Sequence, residues 1–360
     1  ISDNEDEVMK FYKNALKNSV LMRVLKGGTV PPPDKMKLET FFNFMRPLIP
    51  KPVFRFFQPA YHWLLAFFAA LFYRFPSREL AVIGVTGTKG KSTVVYLTAK
   101  IFEEAGVKAA ALSSIEFKIN DEIIPNEMKM TMPGRFFVQK FLRRAADAGC
   151  KYAILEITSE GIRQHRHRFI NFDTAIFTNL SPEHVESHGG FENYKKAKLS
   201  FFEYAKNVHI LNKDAEHFSE FAKVPAEKII SYSKKDIPRF NLKLAGEFNR
   251  ENAAAAAKIA EISGISPEII KKTLESIEQI PGRMEEINEG QPFKVVVDYA
   301  HTPDSLEKVY QTLLRSLAPK SGKLICVLGA AGGGRDKWKR PEMGKIAAEY
   351  CDEIILTNED

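Results

Sequence analysis

A buried strand that runs directly into a glycine-rich loop and then a helix constrains this chain more than any other feature. The strand is Ala81-Val-Ile-Gly-Val85, the loop is Thr86-Gly-Thr-Lys-Gly-Lys-Ser-Thr93, and helical residues follow over 92–105. Glycines let backbone N–H groups approach a chain of phosphates, and a helix N-terminus adds partial positive charge at the same place. Lys91 is placed to reach β- and γ-phosphates, and the Ser92 hydroxyl to hold Mg2+. The strict pattern has glycine where Val85 stands. Gly84 falls one place early, so the loop is a variant, and the bland alternative is a chance glycine-rich turn.

The same alternation continues downstream. Residues 109–113, 152–157 and 174–177 read as strands with helical stretches between them, giving an α/β sandwich around a largely parallel sheet. This P-loop unit spans about 80–280. A second, Rossmann-like α/β unit covers 281–360. Its strands are expected at 294–297, 324–328 and 353–356, and its helices at about 305–317 and 341–350. With three strands it reads as incomplete. The first residue is Ile1 and the last is Asp360, directly after a strand-like run, so both ends read as cuts in a longer frame.

The start of the chain has a different character. Residues 1–34 are polar and close on Gly27-Gly28 and Pro31-Pro32-Pro33, a helix and a linker. Residues 35–79 read as a hydrophobic helical segment. Within it, 56–73 carries no Asp, Glu, Lys or Arg, and Arg55 and Arg74 bracket it. The run is at the minimum length for crossing a bilayer, and Pro59 and His62 count against crossing. Its aromatic residues and basic flanks suit a peripheral helix at the inner face of a membrane. A helix packed on the next domain explains the run equally well.

Composition narrows the setting. The chain is 44% hydrophobic and 27% charged, ordinary for a globular protein. Its three cysteines, Cys150, Cys326 and Cys351, match no metal or redox spacing and point to a reducing cytoplasm. A net charge of +7 fits nucleic acid, anionic membrane or phosphorylated ligands without choosing among them.

Glu156 closes a strand beside the phosphate loop, where an α/β protein holds Mg2+; read alone, it is as well a solvated acid. His184 and His188 are candidate metal ligands or surface histidines. Lys198, on a helix with basic and apolar faces, reads alone as a solvated charge. Arg163, Arg166 and Arg168, with His165 and His167, form a basic cluster suited to clamping an anion. An RNA patch is the weaker option, because no aromatic stacking module accompanies the cluster, and no nucleic-acid partner is expected. No protein partner is deducible.

In order along the chain, these pieces resemble the Mur ligases, most closely the MurE type. The resemblance covers about 80–360. It rests on the loop 86–93, Glu156-Ile-Thr-Ser159, Phe177-Thr-Asn-Leu180 with His184, Lys198, and Gly246-Glu-Phe-Asn-Arg-Glu-Asn252. It rests further on Pro281-Gly-Arg-Met-Glu285, Val297-Asp-Tyr-Ala-His-Thr-Pro303, and Gly333-Gly-Arg-Asp-Lys337 with Lys339-Arg-Pro341. The resemblance implies an ATP-dependent ligase that joins a carboxylate to an amine through an acyl phosphate. The MurE type adds a diamino acid to UDP-N-acetylmuramoyl-L-alanyl-D-glutamate.

Residue roles follow from the resemblance. Gly87, Thr88, Lys89, Gly90, Lys91, Ser92 and Thr93 hold ATP phosphates. Ser92 and Glu156 bind one Mg2+, and His184 with a carbamylated Lys198 forms a second metal site. Asn249 and Asn252 face adenine, Asp298 the ribose, and Arg283 the γ-phosphate. Thr131, Thr158 and Arg166 meet the UDP-linked muramoyl peptide. Three departures stand out. Residues 1–79 do not resemble the uridine-binding N-terminal domain, Lys89 replaces the usual Asn, and Glu359-Asp360 does not match the diaminopimelate-selecting motif. The competing readings are a folylpolyglutamate or cyanophycin synthetase, a P-loop kinase, and a membrane-surface binding protein that has lost catalysis.

Overall fold

The computed structural model describes residues 51–126, 130–183, 185–237, 240–317, 322–329 and 338–357. The expected helix within 1–34, His184, and the stretch Gly333–Lys337 lie outside them.

The strands are β1 (Ala81–Thr86), β2 (Ala109–Leu112), β3 (Glu116–Ile119), β4 (Glu122–Pro125), β5 (Tyr152–Glu156), β6 (Thr174–Phe177), β7 (Val208–Asn212), β8 (Lys228–Tyr232), β9 (Glu285–Ile287), β10 (Val295–Val297), β11 (Ile325–Leu328) and β12 (Glu353–Leu356). The helices are α1 (Lys51–Phe72), α2 (Lys91–Glu104), α3 (Arg135–Asp147), α4 (Ser159–Arg163), α5 (Val185–His188), α6 (Phe191–Tyr204), α7 (Phe218–Phe221), α8 (Phe248–Ile262), α9 (Pro267–Ser276), α10 (Pro303–Leu317) and α11 (Lys339–Tyr350).

One sheet dominates, in the order β4-β3-β2-β5-β1-β6-β7-β8. From β2 to β8 every pairing is parallel, and β3 and β4 add an antiparallel hairpin at one edge. β1 lies in the middle of that parallel set. The chain leaves it for β2 on one side and later reaches β6 on the other, so the loop after β1 opens at the switch point of the sheet, where α/β proteins bind ligands.

Strand residues alternate between two cores, as the pleat requires. Val82, Ala153, Ala175 and Leu211 join one core with Phe141 of α3 and Phe201 of α6. Ile83, Ile154, Ile176 and Ile210 join the other with Leu97 of α2 and Leu274 of α9. Buried alanines 253–256 let α8 lie close against α2. Gly106 stops α2 with φ of 68°, and the bonds from Gly106 N–H to the Glu103 carbonyl and from Val107 N–H to the Phe102 carbonyl close a Schellman cap. Gly84, one place early for the strict loop pattern, lies within β1 as the strand reading has it, and serves packing. A Cβ there would stand 2.5 Å from Phe201 Cζ and 3.0 Å from the Phe172 ring.

Helix α1 packs one face on α3, where Leu65 and Ala69 meet Phe136. Trp63 and Phe67 set their rings against Phe169, with centroids 5.0 and 5.4 Å away. The outer side keeps Leu64, Phe68, Leu71 and Phe72 exposed, Phe72 at 63%. Packing therefore explains half of the apolar run. Among the described residues, no helix is long and apolar enough to cross a membrane.

Beyond α9, β9 and β10 pair antiparallel, and β11 and β12 pair parallel. Leu306, Val309 and Tyr310 of α10 share a small core with Met343 and Ala347 of α11.

The packing of Gly84 yields a direct test. Gly84→Ala is expected to lower stability by about 1–3 kcal/mol, the usual cost of overfilling a packed core, read as a lower urea midpoint at unchanged slope. Phe201→Leu in the same chain should recover part of the loss by vacating the space that the new methyl needs.

Candidate nucleotide and metal site

The loop after β1 is held from several sides. Gly87 and Gly90 carry φ of 152° and 81°. A side chain at Gly87 would collide with Thr178 Oγ1, and one at Gly90 with Asn252 Oδ1. The loop backbone is pinned by the end of β6. Thr88 N–H donates to the Asn179 carbonyl at 2.8 Å, Lys89 N–H to Asn179 Oδ1 at 2.9 Å, and Thr178 Oγ1 to the Lys89 carbonyl at 2.7 Å. Thr88 Oγ1 meets Tyr194 Oη at 3.0 Å. The Phe177-Thr-Asn-Leu180 motif thus braces the phosphate loop. Thr93 is buried one residue further into α2.

At the start of α2, Lys91 Nζ donates to the Thr88 carbonyl at 2.7 Å and lies 3.9 Å from Glu156 Oε1. Ser92 Oγ is 2.7 Å from Ser114 Oγ, and Ser114 N–H donates to Glu156 Oε2 at 2.9 Å. Arg283 reaches across from the segment before β9 and donates to both serine hydroxyls at 3.2 Å. Glu156, whose bland reading was a solvated acid, is 3% exposed. Two hydroxyls and a buried carboxylate form an oxygen-only donor set of the kind Mg2+ prefers.

Lys198 is the largest revision of a residue read in isolation. It is 1% exposed, and Nζ donates to the Gly87 carbonyl at 2.7 Å and to Thr86 Oγ1 at 3.4 Å. The Tyr194 ring lies 4.9 Å from the same nitrogen. Burial, helped by the like charge of Lys91, drives its pKa well below the ordinary 10.5, against the opposing pull of Glu183 and Glu156. Burial therefore weakens the amine's hold on its proton relative to a lysine in water.

Asn252 Nδ2 donates to Asn249 Oδ1 at 3.1 Å, and Asn249 Nδ2 to the Ala245 carbonyl at 2.7 Å, so the two amides are joined and Asn252 stands against Gly90. Asp298 accepts from Met284 N–H at 2.8 Å and Ala300 N–H at 2.7 Å, which fixes the turn that carries Arg283. Thr158 caps α4, its Oγ1 accepting from Gly161 N–H at 3.0 Å. Arg166 donates to the Met132 carbonyl, and Met132 and Thr158 both lie against Gly161, so Thr158 and Arg166 gather around Met132, the residue after Thr131.

The basic cluster is not one clamp. Arg163 pairs with Glu160 at 2.8 Å and Arg168 lies over the Tyr204 ring, leaving Arg166 directed at the Thr131 side. His188 Nε2 lies 3.1 Å from Ser159 Oγ. Sequence reasoning passed over Ser114, Glu183, His301 and Asp304. Glu183 meets His301 at 2.9 Å, and Asp304 pairs with Lys89. Their signal was present: Glu183 lies within the braced motif's continuation, and His301 lies within a quoted motif with Asp304 just beyond it. What was missing was their proximity.

The Mur ligase middle domain matches residues 85–239, and the Mur ligase glutamate ligase domain matches 282–360. A UDP-N-acetylmuramyl-tripeptide synthetase of Roseiflexus sp. (strain RS-1) is 35% identical, over 87% of this chain and 68% of the relative. A solved structure of a UDP-N-acetylmuramoyl-L-alanyl-D-glutamate–2,6-diaminopimelate ligase superposes with TM-score 0.58 at 31% identity, over 77% of this chain and 61% of that one. Mycobacterium tuberculosis folylpolyglutamate synthase gives TM-score 0.66 at 16% identity, over 82% of this chain and 79% of that one, a likeness of fold alone. The chain spans about two thirds of the length of the curated relatives it matches.

The buried lysine sets a pH test. A lysine whose folded pKa lies below its unfolded 10.5 binds fewer protons when folded, so stability rises with pH until 10.5 is passed. In CO2-free buffer, urea midpoints should climb more steeply between pH 7 and pH 9 for the native chain than for Lys198→Met. Equal slopes would mean that Lys198 is not desolvated.

Proposed function

The chain belongs to the Mur ligase family, and on that premise we propose that it is an ATP-dependent ligase that adds an amino acid to a UDP-linked muramoyl peptide in peptidoglycan synthesis. The observation that carries this reading is the convergence of Lys91, Ser92, Ser114, Glu156 and Arg283 at the mouth of one phosphate loop.

The chemistry follows from those groups. An acceptor carboxylate attacks the γ-phosphorus of ATP, the bond to ADP breaks, and an acyl phosphate forms. Lys91 and Arg283 offset the charge that gathers on the transferring group. The free amine of the amino acid then attacks the acyl carbon, phosphate leaves with the C–O electron pair, and the nitrogen loses a proton. Holding the two anions together is the main task of the site, since they repel in solution. Thr131, Thr158 and Arg166 would hold the muramoyl peptide, and Asn249, Asn252 and Asp298 the nucleoside.

Ser92 and Glu156 would hold one Mg2+, which would neutralise phosphate charge. Lys198 fits a second role. Its neutral amine can attack CO2 and lose a proton, giving an anionic carbamate with two oxygens that suits a hard cation, with His184 as a companion ligand. The depressed pKa and the burial of Lys198 support this reading.

The outer side of α1, with Leu64, Phe68, Leu71 and Phe72 exposed and Arg74 and Arg78 following, supports a peripheral contact with the inner face of the membrane. Work there would place a cytoplasmic ligase near lipid-linked wall synthesis.

Two experiments test these proposals. Phosphate release with ATP, muramoyl peptides and a panel of amino acids should require both an acceptor and an amino acid. Lys91→Ala should abolish it, and Lys198→Ala should fall to a trace that acetate partly restores. Turnover of ATP that ignores the acceptor would sink the ligase reading. In flotation with anionic liposomes, the chain should rise with the vesicles, and a version starting at Ser77 should stay below; identical behaviour would remove the membrane contact.

A further inference from the structure

We propose that Lys89 and Asp304 form an electrostatic latch that seats the C-terminal unit on the phosphate loop, making Lys89 a positioning residue for Arg283. Lys89 stands in the middle of the phosphate loop, and its side chain crosses to the C-terminal unit.

The backbone of Lys89 is locked by Thr178 and Asn179, so its side chain starts from a fixed point. From there it forms an ion pair with Asp304 in the first turn of α10. An asparagine has no charge to offer that carboxylate. The carboxylate also sits where a helix favours negative charge, and Lys308 one turn on pairs with it at 3.2 Å. Two further ties run parallel to the first. His301 Nε2 lies 2.9 Å from Glu183, and the Arg283 guanidinium donates to Ser92 and Ser114 at 3.2 Å. All three connect the loop or its immediate neighbours with the segment 283–304. Of the three, the Lys89 pair joins two full charges across a partly exposed seam, with side-chain exposures of 23% and 50%. Such a pair is salt-sensitive and modest in strength. It holds α10 near the loop, and the turn that bears Arg283 is then delivered to Ser92.

The test is a double-mutant cycle with two readouts. Lys89→Ala, Asp304→Ala, the double variant and the reversed pair Lys89→Asp with Asp304→Lys are compared. Hydrogen exchange across 283–306 is followed in the nucleotide-free protein, and KM against kcat for ATP is followed in the ligation assay. Each single variant should speed exchange about two- to fivefold at low salt, the range for a partly exposed pair. The double should be no worse than either single, the reversed pair should recover protection, and the differences should vanish near 1 M salt, where the screening length is about 3 Å. In turnover, the singles should raise KM for ATP more than they lower kcat. Unchanged exchange, or additive losses, would overturn the latch. So would a loss of ATP affinity in Lys89→Ala that Asp304→Ala does not share, since Lys89 would then be contacting phosphate itself. The turnover arm rests on the ligase reading; the exchange arm does not, so failure of one is distinguishable from failure of the other.

Discussion

Gly87 offers its carbonyl to the Lys198 amine at 2.7 Å in a space closed to water, and the phosphate loop takes its shape from that contact. A buried carbonyl needs a donor, and a buried amine sheds charge more readily than it keeps it. Each group answers the need of the other. With the underside of the loop fixed, Thr178 and Asn179 hold its flank, and Gly90 rests against Asn252. With the Thr88 and Lys89 N–H groups taken by Asn179, the first N–H groups of α2, the Lys91 side chain and the Ser92 hydroxyl remain to form an anion site that needs little reorganisation when charge arrives.

Two attachments to the central sheet use different physics. Helix α1 is held by apolar packing of Leu65, Ala69 and Phe136 and by aromatic edges on Phe169. Interfaces of that kind are insensitive to salt and come apart only by exposing apolar area. The C-terminal segment meets the loop through Arg283, His301 and Asp304, all polar or charged. Contacts of that kind can be exchanged for water and ions at small cost. The same chain therefore carries a fixed attachment on one side and an adjustable one on the other.

Several residues acquire meaning only in company. Glu156 and Lys198 each look like solvated charges when read singly, yet both are buried beside the loop. Gly84 stands one place early for the strict loop pattern, and the phenylalanine rings of Phe172 and Phe201 explain it. Asp298 holds the Arg283 turn through two backbone N–H groups. The arginine cluster at 163–168 divides among Glu160, Met132 and Tyr204 because successive residues of a short helix and its exit turn face different neighbours.

The strand–loop–helix of the phosphate site, the parallel sheet and the order of its motifs were legible in the sequence, because each depends on local chemistry: apolar runs of strand length, glycines at a turn, a helix start, residues at fixed offsets. The edge hairpin β3–β4 and the strands β7, β8 and β9 are not legible there, since short segments carry little periodic signal and their pairing is decided by neighbours far along the chain. The seam between Lys89 and Asp304, the meeting of Glu183 with His301, and the burial of Lys198 were beyond sequence for the same reason. A charge is read as solvated until the fold removes its water, and only the tertiary structure decides which charges lose it and which partner each then meets.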